Sequence, residues 1–248
     1  MTPATGTTPK GITGEEAASR WVRGMFGRVA TRYDLLNHLL SFNLDRRWRA
    51  RTVERVAGVM AQPGAKVLDL CCGTGDVLLS LETQRRGGAT IFGSDFCHPM
   101  LIEAQRKIAA RRLRSPLFEA DALALPLASD SLDLITVAFG FRNLTNYRQG
   151  LEELARVLKP GGALAILEFS QPTNRGFAKA YGFFSRRVLP WVGGMISGSD
   201  EAYSYLPESI RKFPGAEGLA EQMRAAGFAN VEFERLTFGA VALHLGRK

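Results

Sequence analysis

The 248-residue sequence predicts an α/β fold in which a mostly parallel sheet is covered by helices on both faces. Three observations lead there. Apolar runs at 66–71, 90–95, 117–120, 132–138 and 163–169 alternate with helical stretches. The first run ends in a glycine-rich turn, CCGTGD, that leads into a helix, which is where open α/β sheets bind ligands. Two last runs, 231–236 and 240–245, are separated by only TFG, so an antiparallel hairpin closes the sheet. With 46% hydrophobic residues the chain can bury one substantial core, which favours a single decorated unit over two domains.

Taken in order, the first dozen residues, MTPATGTTPKGI, are rich in Thr, Pro and Gly and lack the apolar stretch of a secretory signal. They are expected to form a floppy tail. From 14 to about 60, Trp21, Val22, Met25, Phe26, Val29 and Tyr33 recur three and four residues apart, which predicts two or three helices and a helical cap over 1–60. The remaining 61–248 form the main unit. LKPGG at 158–162 reads as a helix stop followed by a tight turn before the fifth strand. An insertion at 171–213 places Phe177, Tyr181, Phe184, Val188 and Trp191 at spacings of four, three, four and three, one apolar helix face that Pro190 disrupts. Arg175, Lys179, Arg186 and Arg187 accompany it, with no acidic residue between Glu168 and Asp200. That suits the headgroup boundary of an anionic membrane, or a lid packed on the core. The stretch 177–196 is too interrupted by charge and proline to span a bilayer.

The net charge of +8 is compatible with nucleic acid, an anionic membrane surface or simple solubility. RRWRAR at 46–51 and RKIAARRLR at 106–114 could contact phosphates. The second run is interleaved with Ile108, Ala109, Ala110 and Leu113 as a solvated helix face would be, and no nucleic-acid module accompanies it. A nucleic-acid partner is therefore not expected. Three cysteines, Cys71, Cys72 and Cys97, form an odd, sparse set that points to a reducing compartment.

Two readings compete for the turn after the first strand: a metal or redox site on Cys71 and Cys72, or a backbone cradle for a cofactor. Adjacent cysteines cannot easily chelate one metal together, and no other ligand spacing accompanies them. They read as small residues packed behind the turn, with no metal expected. Gly73 and Gly75 let the backbone approach a ligand, but the third glycine of a dinucleotide fingerprint is replaced by Leu78. Asp95, 20 residues beyond Gly75, can accept from both hydroxyls of a ribose. The ligand is thus a nucleoside without a pyrophosphate. Asp69 is either part of that cradle or a carboxylate that fixes the loop.

VLDLCCGTGD, GSDFCHPML, EADALALP, DLITVAFGFRN and RVLKPGGALAILEFSQP resemble the successive motifs of class I S-adenosylmethionine-dependent methyltransferases. MFGRVATRYDLLNHLLSFNLDRRWR, AYSYLPESIRKFP and AGFANVEFERLTFGAVALHLGRK are similar, more narrowly, to the quinone-ring C-methyltransferases of menaquinone and ubiquinone biosynthesis. The likeness runs from about residue 20 to the end. It implies a Rossmann-like, seven-stranded sheet over 61–248 and S-adenosyl-L-methionine as cofactor. Thr74 and Gly73 would face its methionine part, Asp95 the ribose, and Asp121 with Ala122 the adenine, with Asp69 and Gly75 among the cofactor-binding residues. Phe96 or Met100 would pack on the adenine face. The sequence departs from part of the family at Cys71, where alanine or glycine is common, and at Ala138, a cofactor-side position where some members carry serine.

Methylating a ring carbon calls for an aryloxide, and hence for a base or an oxyanion stabiliser. Arg142 and Asn143, just after the fourth strand, fit the stabiliser, with a water relaying the proton; a structural ion pair or loop anchor is the other reading of Arg142. Tyr33, and Tyr205 with Glu208, resemble family positions that border the ring. His244, in the closing strand, reads as a structural histidine, while His38 and His98 show no partner in the sequence. The implied reaction is C-methylation of a prenylated hydroquinone, demethylmenaquinol first and the methoxy-benzoquinol precursor of ubiquinone second. The resemblance also implies a cytoplasmic protein held peripherally at the inner membrane, with the insertion as an apolar door for the substrate. A homodimer is left open.

Overall fold

The computed structural model describes residues 5–183 and 200–248. Three helices come first: α1 (Glu15–Val29), α2 (Tyr33–Leu40) and α3 (Leu44–Met60). In α1 the buried Ala18, Val22, Met25 and Val29 follow helical spacing, and Glu15 and Glu16 stand in the first turn, where the helix dipole favours acid. Then follow β1 (Lys66–Leu70), α4 (Asp76–Thr83), β2 (Thr90–Asp95), α5 (His98–Ala110), β3 (Leu117–Glu119), β4 (Leu132–Ala138), α6 (Tyr147–Val157) and β5 (Leu158–Phe169). After α7 (Arg175–Phe183), α8 (Asp200–Lys212) and α9 (Ala216–Ala225), the chain ends in β6 (Ala229–Leu236) and β7 (Val241–Arg247).

The seven strands lie in the order β3-β2-β1-β4-β5-β7-β6, all parallel except β7, which runs antiparallel to β5 and β6. The order reverses between β1 and β4, and that switch point opens a crevice at the carboxyl ends of the strands. Both faces are covered. On one, Leu151 and Leu154 of α6 and Leu219 and Met223 of α9 pack on Leu68, Ile135 and Ile166. On the other, Val53 and Val56 of α3, Leu78 and Leu81 of α4 and Ile108 of α5 pack on Val67, Leu134 and Leu243. Each fully buried Leu or Ile contributes about 1.5–3 kcal/mol, so the central strands anchor the crevice rigidly.

Three expectations are revised. The helical cap over 1–60 divides, because Trp48, Val53, Val56 and Met60 place α3 in the core of the sheet. The turn at LKPGG is absorbed into β5, which begins directly after α6: Leu132 pairs with Leu158 and Leu134 with Ala163, so the intervening residues bulge from the ladder. The tail is not floppy over its described part. Thr7 N donates to Leu144 O at 2.7 Å and Tyr147 N to Thr5 O at 2.8 Å, strapping the segment to the body. A Cβ on Gly6 would lie 1.8 Å from the Thr145 carbonyl oxygen, so glycine is required where the two backbones meet.

Of the insertion, Phe177 packs against Phe238 with ring centroids 5.2 Å apart. Phe184, Val188, Trp191, Arg186 and Arg187 lie outside the described residues. Among the described residues, no helix is long and apolar enough to cross a membrane. The basic run 46–51 is partly consumed internally: Arg49 is buried on Asp45 and Asp76, and Arg51 pairs with Glu234.

Candidate active site

The site begins where β1 ends. Cys71, Gly73 and Gly75 all take left-handed backbone angles, φ 54°, 53° and 85°, which fold the turn tightly before α4 starts. Asp95, at the end of β2, fixes that turn: its Oδ2 accepts from Gly73 N and its Oδ1 from Cys97 N, both at 2.9 Å. Burial pushes its carboxyl up to about 6 against the pull of these N–H groups. Asp69 is 1% exposed; its Oδ1 accepts from Thr136 Oγ1 at 2.7 Å, while Oδ2 is buried without a hydrogen-bond partner among the described residues. Burial raises Asp69 to about 7. Cys71 and Cys72 are free and burial raises both thiols; instead of packing behind the turn, both line the cavity at it.

Three cavities meet at this turn. The first, about 410 Å³, is lined by Asp95, Phe96, Asp121, Ala122 and Asn143, among others. The second, about 350 Å³, shares Cys71 with the first and adds Asp69, Gly73, Thr74 and Ala138. The third, about 740 Å³, shares Tyr33, Arg49 and Phe139 with the second. Its walls are largely aromatic: Phe26, Tyr33, Trp48, Phe139, Phe169 and Tyr205. A trough edged by carboxylates thus continues into an aromatic pocket, with Phe139 at the boundary in a left-handed conformation, φ 58°.

Arg142 enters the aromatic pocket almost fully buried, at 4% exposure. Its Nη1 donates to Phe139 O at 2.5 Å and to the Glu168 carboxylate at 3.2 and 3.3 Å, and its guanidinium stands 5.3 Å from the centre of the Phe169 ring. Burial opposes its charge, but Glu168 keeps it protonated. The Nε–H is buried with no partner among the described residues. Tyr205 OH donates to Asn143 Oδ1 at 3.0 Å and meets Thr7 Oγ1 at 2.7 Å, so the strap, α8 and the turn after β4 share one hydrogen-bonded chain.

Two expected residues are not brought to this trough. Met100, 2% exposed, packs with Val29, Ala30 and Cys97 behind the turn, leaving Phe96 on the cavity wall. Glu208, three residues beyond Tyr205, faces the strap instead and pairs with Lys212 at 2.8 Å. Thr74 lines the trough, but its hydroxyl bonds Asp34 and accepts from Lys107. His244 is buried with Nε2 2.8 Å from Ala216 O, while its Nδ1 has no hydrogen-bond partner among the described residues. Sequence reasoning missed Glu168, Arg49 and Asp45. Glu168 alone left a signal, an acid near the end of an apolar strand that ends at the crevice.

The profile of the ubiE/COQ5 methyltransferase family matches residues 14–248. The chain belongs to this family. A demethylmenaquinone methyltransferase of Thermus thermophilus is 50% identical over 222 residues, covering 90% of this chain and 99% of the relative. A ubiquinone/menaquinone biosynthesis C-methyltransferase UbiE of Geobacter sulfurreducens is 41% identical over 92% of this chain and 88% of its own length. Among solved structures, a SAM dependent methyltransferase from Aquifex aeolicus shares the fold, with a TM-score of 0.57 at 20% identity, over 79% of this chain and 88% of that one. As a member of this methyltransferase family, the chain uses S-adenosylmethionine as cofactor. The trough fits that group on its own terms: it offers a partnerless buried carboxylate oxygen for a cation, a glycine turn, and two further carboxylates along its length.

Proposed function

We propose that this chain methylates a ring carbon of a prenylated hydroquinone, demethylmenaquinol to menaquinol, in menaquinone biosynthesis. The observation that carries the reading is the Arg142 Nε–H, a buried cationic donor without a partner among the described residues, in an aromatic pocket that adjoins the cofactor trough. A flat aromatic ring fills such a pocket, and an aryl oxygen supplies the missing acceptor.

On the cofactor side, Asp69 Oδ2 accepts from the ammonium, with Gly73, Thr74, Gly75 and Ala138 around the methionine part. Asp95 retains lone pairs for the ribose hydroxyls, Asp121 and Ala122 border the adenine, and Phe96 covers its face. When bound, S-adenosylmethionine supplies an electrophilic sulfonium methyl. On the acceptor side, Arg142, held by Glu168, stabilises the aryloxide whose electron density makes the ring carbon nucleophilic. Asn143, fixed by Tyr205, and Tyr33 border the ring, while Trp48, Phe139 and Phe169 exclude water. The sheet with the helices packed on it, α3 included, acts as the methyltransferase unit, with α1 and α2 over its crevice.

A prenylated substrate resides in lipid, and the protein docks peripherally on the cytoplasmic face of the membrane to reach it. Support comes from large apolar side chains exposed on and beside α2, Leu35 at 61%, Leu39 at 46% and Phe42 at 71%, and from Phe238 at 67%.

The test offers labelled S-adenosylmethionine with reduced demethylmenaquinone and the reduced ubiquinone precursor side by side in detergent, with mass spectrometry of the products. Carbon methylation of the naphthoquinol is expected. Methylation of the benzoquinol alone would move the reading to the other pathway, and methylation of neither, with S-adenosylhomocysteine still bound, would remove the quinone assignment.

A further inference from the structure

One wall of the aromatic pocket is polar. Asn37, Ser41, Asp45 and Arg49, from α2, α3 and the turn between them, line it together with Arg142. Asp45 is 3% exposed and highly bonded: Ser41 Oγ donates to Oδ1 at 2.7 Å, Arg49 Nη1 to Oδ2 at 2.6 Å, and His38 Nδ1 lies 2.7 Å from Oδ2. The His38 side chain is 22% exposed, so the imidazole connects this buried carboxylate to solvent.

Asp45 belongs to a wider network of charges. Arg49 also holds Asp76 at 2.8 Å, and Lys107 of α5 holds Asp76 at 2.7 Å and Asp34 at 2.5 Å. Three carboxylates therefore face two permanent cations. Other charged or titratable groups face it from neighbouring elements. The Asp69 carboxyl of β1 feels the Arg49 charge, and Arg142, paired with Glu168, and the Tyr33 phenol line the same pocket. Although His38, Asp45 and Asp76 converge closely enough for a metal, Arg49 already occupies the space between the two carboxylates.

We propose that Asp45 and His38 form the proton outlet of the acceptor pocket. This rests on the quinol reading above and adds the acceptor that reading lacks. The hydroquinone O–H bond breaks, its electron pair stays on the aryl oxygen beside Arg142, and its proton crosses the Asp45 carboxylate to Nδ1 of His38. The imidazolium then gives the proton on Nε2 to water, and exchange with solvent restores the starting tautomer. The ring proton displaced by the methyl group returns to the aryl oxygen, so one proton is released per methyl transferred. His38 is a relay; Asp45 is the group that meets the substrate.

Full-length wild type, His38→Gln and His38→Ala are compared for methyl transfer to reduced demethylmenaquinone across pH, with and without added imidazole. S-adenosylhomocysteine binding by each protein reports an intact fold. General-base effects of about 10²-fold set the scale: kcat falls about that far in both variants while KM changes little, and imidazole restores His38→Ala in a saturable way. His38→Gln at the wild-type rate, or His38→Ala unmoved by imidazole, overturns the proposal. A wild type that binds S-adenosylhomocysteine but methylates no quinol instead overturns the reading beneath it, which keeps the two failures distinct.

Discussion

Arg142 and Glu168 face each other with Nη1 3.2 Å from Oε1, their side chains 5% and 1% exposed. The pair joins the turn after β4 to the end of β5, and it keeps the guanidinium charged where an aryl oxygen needs it. Such a pair is worth little as a source of net stability but a great deal when one half is removed.

Glu168→Ala strands a buried cation. The expected cost is about 3 kcal/mol, or a fall of roughly 6–12 °C in melting temperature for a chain of this size, measured by calorimetry. Unchanged melting would mean that Arg142 is solvated rather than paired.

Arg142→Lys keeps a charge but loses the Nε–H. Turnover should fall about 10²-fold, the scale of losing one oxyanion donor, while S-adenosylhomocysteine affinity by calorimetry stays the same. Equal losses in both would place Arg142 at the cofactor rather than at the acceptor.

Asp69 gives cofactor binding a pH dependence. With its carboxyl at about 7, the group is largely protonated at pH 6 and ionised at pH 8, so affinity for the ammonium-bearing S-adenosylhomocysteine rises over that span. For the free protein the sign is opposite. A carboxyl raised on folding contributes stability that is full below its unfolded value near 3.8 and is lost as pH rises through about 7. Asp69→Asn should flatten both trends near pH 7 and leave a weaker dependence from Asp95 near pH 6, read by titration calorimetry and thermal melts.

Gly6→Ala should release the strap. Its Cβ has no room beside Thr145, and overpacking of this kind costs about 1–3 kcal/mol. The local readout is faster hydrogen exchange at the Thr7 and Tyr147 amides, with protection in β4 and β5 retained.

The sheet was legible because its strands are apolar runs bounded by turns, a pattern that burial on both faces imposes. Asp95 was legible as a trough residue for a related reason: it sits at a strand end, and parallel topology gathers those ends at one crevice, whereas Asp121 and Phe96 came from the family resemblance and Asp69 stood between cradle and loop anchor. Met100 and Glu208 could not be separated from Phe96 and Tyr205, because the facing of neighbouring positions depends on how α1 and the strap pack over them. Asp45 was hidden at the edge of a basic run, RRWRAR, whose arginines suggested a surface. Its role depends on Arg49 turning inward, a contact that no local spacing encodes. The strap escaped notice because Thr, Pro and Gly are the composition of a loose tail, and two backbone hydrogen bonds leave no mark on composition.

The left-handed backbones at Cys71 and Phe139 have a practical consequence. Non-glycine residues in that region carry about 1–3 kcal/mol of strain each, so a screen that rewarded only survival of heating would draw both positions towards glycine. At Phe139 the gain would remove the ring at the boundary between the trough and the aromatic pocket. Variants selected for heat resistance alone would then be sturdier proteins and leakier vessels, and selection should hold that ring fixed.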